Sequence, residues 1–170
     1  MKTDFTIRQA QQSDAVELKE LFQNTVLVIN RRDYSQAEVE DWASCGNNLS
    51  NIKERIETHC FVVAVNQQSQ IVGFSSITPQ GYLHSMFVHK DFQGEGIATM
   101  LLEEIERYAI TAGITRITSE VSLTARPFFE KKGYAVEKEQ KRKANQLSLT
   151  NFLMAKEVAF LEYYNKKVTD

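Results

Sequence analysis

The stretch LHSMFVHKDFQGEGIATMLLEEI, residues 83–105, constrains the fold of this chain more than any other segment. A run of β-forming residues ends in a turn with two glycines, Gly94 and Gly96, and an amphipathic helix follows at once. The first amides of a helix have no acceptor within the helix, and the helix dipole favours negative charge beside them. Because glycine lets backbone approach a phosphate closely, the segment indicates either an anion site or a plain tight turn.

Two nucleotide-binding motifs can be compared with this turn. A P-loop requires Lys followed by Ser or Thr at the start of the helix, where this sequence has Ile97 and Ala98. A dinucleotide-binding fingerprint requires Gly or Ala at the position of Thr99 and belongs to alternating strands and helices. The sequence therefore excludes the first motif and argues against the second.

Composition restricts the class of protein. The chain has 170 residues, of which 42% are hydrophobic and 25% charged, and this suits one globular domain over residues 1–170. A formal net charge of −2 gives no reason to expect a nucleic-acid partner, and the KEQKRK run at 138–143 is typical of a solvated strand face. The N-terminus has no apolar signal-peptide core and no run is long enough to cross a membrane. We therefore expect a cytoplasmic protein with no membrane partner, as a monomer or homodimer.

The two cysteines and the spacing of potential ligands give no sign of a metal. Cys45 and Cys60 are too few and too unrelated in position for a disulfide framework or a zinc site. We expect inert thiols and no metal cofactor.

Hydrophobic periodicity predicts the order of the other elements. A first strand precedes a helix for which Asp14 and Glu17 fit a capping box, and Ser35 with Glu38 caps a second helix. A short third helix is followed by three consecutive antiparallel strands and then by the helix that the glycine turn opens. A further strand, a short helix and a hairpin that turns near Asn145 complete the domain.

This order of elements, with Q-x-x-G-x-A at Gln93, Gly96 and Ala98, resembles the GNAT N-acetyltransferase superfamily. The resemblance covers residues 4–158 and leaves 159–170 as a C-terminal tail. The segments Tyr34–Trp42 and Ala125–Tyr134 are similar to the YS…W and ARPFFEK-GY segments of small bacterial members. The resemblance implies an α/β (α+β) fold, in which about four helices flank a mixed, mostly antiparallel sheet of about six or seven strands. A splayed strand pair in that sheet would hold acyl-CoA.

The resemblance also implies where acetyl-CoA, the expected cofactor, would bind. Amides of the glycine turn would hold its pyrophosphate, and backbone groups of the splayed strand would meet the pantetheine arm and the acetyl carbonyl. The short helix that follows the next strand would close the other side of the thiol. The implied cofactor residues are Met86, Phe87, Val88, Gln93, Gly94, Glu95, Gly96, Ile97, Ala98, Thr99, Ser122, Pro127 and Phe129.

Two positions depart from the family pattern. Phe129 stands where many members carry a Tyr whose hydroxyl can protonate the departing CoA thiolate, and Ser122 stands where Asn is common. The acid must then come from elsewhere, or the thiolate leaves without help, since a free thiol has a pKa near 8.5. The alternative to an N-acetyltransferase is accordingly a catalytically silent acyl-CoA-binding or regulatory module.

An amine acceptor arrives mostly protonated, so direct attack on the acetyl group requires a base or a water chain. His84 and Tyr82 share one face of the splayed strand by its two-residue period, and His84 titrates near neutral pH. LHSMFVH also resembles the corresponding strand of serotonin N-acetyltransferase, in which the histidine at the His84 position serves proton removal. A hydrogen-bonded structural histidine is the competing interpretation.

The early aromatic segment is the predicted acceptor side of the site. Tyr34 and Trp42 would form walls of the acceptor pocket, although packing of the first helices onto the sheet accounts for Trp42 equally well. The acceptor is expected to be a small-molecule or peptide amine. A small amine, an aminoglycoside-like compound and a protein N-terminus all fit the sequence.

Overall fold

The computed structural model describes residues 4–158 and shows seven strands and five α-helices in that part of the chain. The strands are β1 (Thr6–Gln9), β2 (Cys60–Val65), β3 (Ile71–Ile77), β4 (Tyr82–Val88), β5 (Arg116–Ser122), β6 (Ala135–Lys143) and β7 (Ser148–Glu157). The helices are α1 (Ala15–Val28), α2 (Gln36–Ser44), α3 (Leu49–Thr58), α4 (Ile97–Thr111) and α5 (Arg126–Lys131). The tail predicted from residue 159 onward lies outside the described residues.

The strands form one sheet in the order β1-β2-β3-β4-β5-β7-β6. Its neighbouring pairs are antiparallel except for β4 and β5, which run parallel. A parallel pair needs a crossover connection, and α4 provides it. The predicted mixed, mostly antiparallel sheet is confirmed.

Helices cover both faces of the sheet, and β2 shows the division. Successive residues of a strand point to opposite faces. Val62 and Ala64 belong to the core under α4, whereas Phe61 and Val63 belong to the core under α1 and α3. The sheet is therefore the middle layer of three, and β4 lies at its centre with helices on either side.

The start of α1 differs from the prediction. Asp14 and Glu17 do not form a capping box, because tertiary contacts occupy both carboxylates. Asp14 accepts hydrogen bonds from the Arg8 guanidinium at 2.8 and 3.0 Å and from the Gln11 amide at 2.7 Å. Glu17 accepts from the Ile71 amide at 2.9 Å and so joins α1 to β3.

The predicted caps and turns elsewhere are confirmed. At α2, the Glu38 amide donates to the Ser35 hydroxyl at 3.2 Å, and the Ser35 amide donates to the Glu38 carboxylate at 2.9 Å. The hairpin of β6 and β7 turns over residues 144–147, where the amide of Ala144 donates to the carbonyl of Leu147 at 2.8 Å.

A single carboxylate fastens the tip of that hairpin to α2. Asp41 accepts hydrogen bonds from the amides of Asn145, Gln146 and Leu147 at 2.9 to 3.0 Å. Desolvation raises the pKa of Asp41, but the three amides together lower it further, so the net shift is downward. The stability that this contact contributes is present above the ordinary value of 3.8 and is lost as pH falls through the lower folded-state value.

Gly73 on β3 sets the distance between the sheet and α4. A Cβ at this position would lie 2.8 Å from Cγ2 of Ile97 and 3.1 Å from the carbonyl oxygen of Phe87. We expect Gly73→Val to destabilise the protein by about 1–3 kcal/mol, because overpacking displaces the helix, and Gly73→Ala to cost less. Urea unfolding of the purified proteins measures the effect. Unchanged midpoints for both variants would show that α4 moves away from β3 at no cost.

Candidate active site

The parallel strands β4 and β5 separate soon after they begin. They pair at Tyr82 with Thr118 and at Leu83 with Ser119, and the pairing ends there. A cavity of about 710 Å³ extends from the open edge of β4 toward α1 and α2. The predicted splayed pair is therefore present.

A β-bulge at His84 begins the separation. Ser76 of β3 pairs with Ser85, and Ile77 pairs with Leu83, so His84 has no partner in β3. An extra residue of this kind shifts the alternation of side chains along the strand. Tyr82 and His84 still lie on the same side, with ring centroids 6.0 Å apart.

The shift of alternation decides which backbone groups of β4 face the cavity. The His89 amide donates to the Val72 carbonyl of β3 at 2.8 Å. Backbone groups alternate along a strand, so those of Phe87 also point to β3. Those of Met86 and Val88 point instead to the open edge, where β5 offers no partner.

The carbonyl of Val88 already has donors at that edge. Thr25 Oγ1 of α1 donates to it at 3.0 Å, and Nε2 of Gln93 donates at 2.7 Å. These two bonds fix the end of β4 against α1 and against the glycine turn.

The glycine turn has the backbone conformation that only glycine adopts easily. Gly94 has a φ of 76° and Gly96 a φ of 82°, both in the left-handed region. A Cβ on either residue would meet nothing within 4 Å. Glycine is therefore required by the backbone conformation and not by a lack of room for a side chain. Gly96 is the N-cap of α4, and the first turn of this 15-residue helix opens onto the cavity.

Most of the predicted site residues line this cavity. Those that do are Tyr34, Trp42, Tyr82, His84, Met86, Phe87, Val88, Gln93, Gly94, Gly96, Ile97, Ala98, Thr99, Ser122 and Phe129. Glu95 in the glycine turn and Pro127 in the first turn of α5 do not line it.

Phe129 closes the cavity floor and belongs to the core under α4. Its ring is buried and packs edge-on against Phe128 and Tyr134, at centroid distances of 5.4 and 5.2 Å. The hydroxyl of Tyr134 donates to the Glu106 carboxylate at 3.1 Å, away from the cavity lining. Tyr134 therefore does not supply the proton donor that Phe129 lacks.

His84 lies at the end of the cavity, where a smaller pocket of about 230 Å³ joins it from the side of α3. Its ring is 5.6 Å from that of His59, and the residue is exposed to solvent in the cavity although protein atoms surround the ring closely. Burial, followed by the charges of Arg55 and His59, lowers the pKa of His84 to about 4. The side chain is neutral at pH 7, but it is a weaker base than its sequence position suggests.

Tyr82 beside it stays protonated. Burial, together with the Glu120 carboxylate, raises the pKa of Tyr82 to about 12. This phenol is a hydrogen-bond donor at neutral pH and not a base.

Sequence reasoning missed four charged residues of the cavity. Arg55 comes from α3, Glu120 from β5, and Arg142 and Lys143 from β6. Arg142 Nε donates to the Glu120 carboxylate at 2.9 Å, so two members of the KEQKRK run line the site although both are exposed. The two-residue period of β5 would have placed Glu120 beside Ser122, but no local signal marks Arg55.

Within residues 4–158, no group of three or more His, Cys, Asp and Glu side chains could hold a metal ion. In the same range, none of the helices combines the length and apolar character needed to cross a membrane.

Tyr34 connects three parts of the site wall. Its hydroxyl donates to the Thr150 carbonyl at 2.6 Å and accepts from the Leu123 amide at 2.9 Å, and its ring lies 5.7 Å from that of Trp42. Burial raises the pKa of this phenol. The hydroxyl is thus occupied, and only the ring is free to contact a ligand.

We expect Tyr34→Phe to lower the free energy of unfolding by about 1–3 kcal/mol, because it leaves a partly buried amide and a partly buried carbonyl without their partner. Chemical denaturation measures this cost. The ring remains in Tyr34→Phe, so catalytic constants of the folded variant should stay close to those of the wild type. A variant with unchanged stability would contradict the connecting role.

Known proteins share this architecture. Residues 30–157, more than half of the chain, match the family described as Acetyltransferase (GNAT) domain. The uncharacterized N-acetyltransferase YafP of Escherichia coli K12 is 29% identical over 149 residues, which cover 87% of this chain and 93% of the relative.

Solved structures give the same result. A GCN5-related N-acetyltransferase from Rhodopseudomonas palustris superposes with a TM-score of 0.86 at 26% identity, covering 90% of this chain and 95% of that one. The PaiA N-acetyltransferase of Thermoplasma acidophilum, solved in complex with coenzyme A, shares the fold with a TM-score of 0.74 at 19% identity, covering 90% and 98%. The chain belongs to the GNAT acetyltransferase family.

Proposed function

We propose that the protein transfers an acetyl group from acetyl-CoA to a primary amine by direct attack of the amine. The observation that carries this proposal is the open edge of β4, which leads from Met86 to the glycine turn at the N-terminus of α4. Family membership supports acetyl transfer, and the coenzyme A bound to the Thermoplasma neighbour supports the choice of donor.

The first turn of α4 would hold the pyrophosphate. Its amides have no intrahelical acceptors, and the helix dipole favours an anion there. Positive φ at Gly94 and Gly96 turns the preceding backbone toward the same space, and Thr99 adds a hydroxyl to the cavity lining.

The amide of Met86 is the donor that we assign to the acetyl carbonyl. It faces the open edge without a partner in β5, whereas the amide of Phe87 points to β3. A fixed amide at this place would stabilise the negative charge that develops on the carbonyl oxygen during attack. This assignment narrows the sequence-based expectation, which gave Met86, Phe87 and Val88 the same role.

His84 would accept the proton that the amine nitrogen releases as its bond to carbon forms. A side chain with a pKa near 4 cannot deprotonate a free ammonium ion efficiently, so the amine must lose its first proton to solvent. The nitrogen becomes far more acidic once it attacks the carbonyl carbon, and a neutral imidazole can then take its second proton directly or through water.

Departure of the thiolate needs no acid from Phe129. A free thiol has a pKa near 8.5, so the thiolate is a stable leaving group at neutral pH. Direct attack therefore depends on positioning by the backbone of β4 and on the base, and a phenol on α5 is dispensable.

The second candidate is a catalytically silent acyl-CoA-binding module. Phe129 and the low pKa of His84 favour it, because both weaken acid and base catalysis. Release of CoA thiol from acetyl-CoA, measured against a panel of primary amines with mass analysis of the products, separates the two candidates. Tight CoA binding without transfer to any amine would establish the silent module.

The glycine turn supplies a test of the cofactor site with a matched control. Gly96→Asp places a negative charge beside the proposed pyrophosphate, and we expect CoA affinity to fall by about 10-fold or more. Gly113→Asp is the control, because Gly113 also has a positive φ, at 78°, and open space around its Cα, but it does not line the cavity. Isothermal titration calorimetry compares the three proteins. Equal losses in both variants would mean that backbone strain and not charge is responsible, and the site would lie elsewhere.

His84→Gln tests the base, since glutamine keeps a polar side chain but takes no proton. We expect kcat/KM to fall by about 10²- to 10⁴-fold with CoA affinity unchanged. The wild-type profile of kcat/KM against pH should show no inflection near 6.5 that belongs to His84. Wild-type kcat/KM in the variant would remove His84 from the mechanism.

The lowered pKa of His84 can be checked without activity. Between about pH 6.5 and pH 4 the unfolded chain binds a proton at His84 that the folded protein does not bind. Wild-type stability should therefore decrease as pH falls through this window, and His84→Gln should reduce that decrease. Identical dependence in both proteins would show that the pKa is not lowered.

A further inference from the structure

Arg55 is a partly buried cation at the acceptor end of the cavity. It lines both the main cavity and the smaller pocket that meets it at His84. Burial lowers the pKa of its guanidinium, but arginine stays charged in proteins. Among residues 4–158 it forms no ion pair. A partly desolvated charge without a counter-ion is costly, which indicates a ligand anion at this position.

Neighbouring carboxylates do not serve that purpose. Glu120 lines the main cavity, but Arg142 binds it at 2.9 Å. Glu54 shares the smaller pocket with Arg55, and its charge raises the pKa of the guanidinium, but it is exposed and forms no ion pair with Arg55 among residues 4–158. The cavity wall also includes Lys143. Arg55, Arg142 and Lys143 thus outnumber Glu120, and the charge of the main cavity wall as a whole is positive.

Arg55 is also close to the proposed base. Its charge is the second cause, after burial, of the lowered pKa of His84, and it acts on His59 as well. An anion bound to the guanidinium would lie in the same part of the cavity as the amine that His84 serves. The anion and the reacting amine therefore belong to one small molecule or to one end of a larger one.

Aromatic rings form another part of the cavity wall. Phe22 lies 5.0 Å from Phe87 and 6.5 Å from Trp42, and Phe74 lies 5.4 Å from Phe87. All four side chains line the cavity. Such a wall suits an apolar group of the ligand, because burial of apolar surface is favourable.

We propose that the acceptor is a free amino carboxylic acid with an apolar side chain: its carboxylate binds Arg55, its amine faces His84, and its side chain lies on the wall of Phe22, Trp42, Phe74 and Phe87. The proposal rests on the N-acetyltransferase function argued above. A peptide N-terminus has an amide in place of this carboxylate, and a polyamine or an aminoglycoside would be repelled by Arg55.

The reaction balances with these groups alone. A bond forms between the amine nitrogen and the acetyl carbonyl carbon, and the bond from that carbon to the CoA sulfur breaks. Nitrogen loses a proton to His84 or to water, the sulfur leaves with its electron pair, and the carboxylate is unchanged. The product is an N-acetyl amino acid.

Matched acceptors isolate the carboxylate. The panel contains L-phenylalanine, L-leucine and L-methionine, each with its α-amide, together with spermidine as a cation. Initial rates at saturating acetyl-CoA are measured for wild type, Arg55→Gln and Arg55→Lys. For each acceptor, the initial rate of each variant is divided by that of wild type. Differences in amine pKa between an acid and its amide then cancel.

We expect wild type to prefer at least one acid to its amide and to spermidine. Arg55→Gln should lower kcat/KM for that acid by about 10- to 100-fold, whereas kcat/KM for the amide should stay equal or rise, because loss of the Arg55 charge also raises the pKa of His84. Arg55→Lys should retain part of the preference, because it keeps the charge but not the planar fork. The KM for acetyl-CoA should not change in either variant.

Two results would overturn the proposal. One is an equal loss of kcat/KM for the acid and for the amide in Arg55→Gln, and the other is a preference of wild type for amides or spermidine. The preference of wild type tests the idea even if Arg55→Gln does not fold. Failure of the proposed function looks different, since no acceptor would then be acetylated while calorimetry still detects CoA. In that case, the CoA-loaded protein is titrated with N-acetyl-L-phenylalanine and with its amide. If the acid binds no more tightly than the amide, the carboxylate site is rejected.

Discussion

The early separation of β4 from β5 is the constraint on which the rest of the site depends. A parallel pair that ends after two residue pairs leaves backbone groups in the interior without partners, and buried groups of this kind must be satisfied. Serine hydroxyls satisfy two carbonyls here: Ser119 donates to the Leu83 carbonyl at 2.8 Å, and Ser75 donates to the Ser85 carbonyl at 2.7 Å. The hydroxyls of Ser76 and Ser85 satisfy each other in a hydrogen bond of 2.7 Å. These buried bonds stabilise the bulge and keep the edge beyond it open for a ligand.

The glycine turn that we propose for the cofactor could be predicted from the sequence because its determinants are local. Gly94 and Gly96 directly precede an amphipathic helix, and a positive φ at these positions is a property of the glycines themselves. Gly73 could not be recognised in this way, since its role depends on the approach of Ile97 from α4. The order of strands and helices was predictable for the same local reason, whereas the capping box at Asp14 was not, because Arg8 competes for that carboxylate.

The acceptor half could not be predicted, because it is assembled from segments that are distant in sequence. Arg55 on α3 meets His84 on β4 only in the folded protein, and the hydroxyl of Tyr34 meets Leu123 and Thr150 at the far end of the sheet. The bulge adds a second difficulty, since a strict two-residue period assigns residues beyond His84 to the wrong face. A single sequence therefore identified His84 as a candidate but gave it an ordinary pKa.

Under the proposed mechanism, recognition of the acceptor and proton transfer to His84 would be coupled at this end of the cavity. Burial, Arg55 and His59 all disfavour the protonated form of His84, whereas Tyr82 is uncharged and Glu120 is compensated by Arg142. If a carboxylate binds Arg55, one of these three causes is weakened, and the pKa of His84 moves up from about 4 toward its ordinary value. By linkage, protonation of His84 must strengthen carboxylate binding by the same factor. An acceptor with a carboxylate would thus improve the base that removes its own proton, and a neutral amine of the same shape would not.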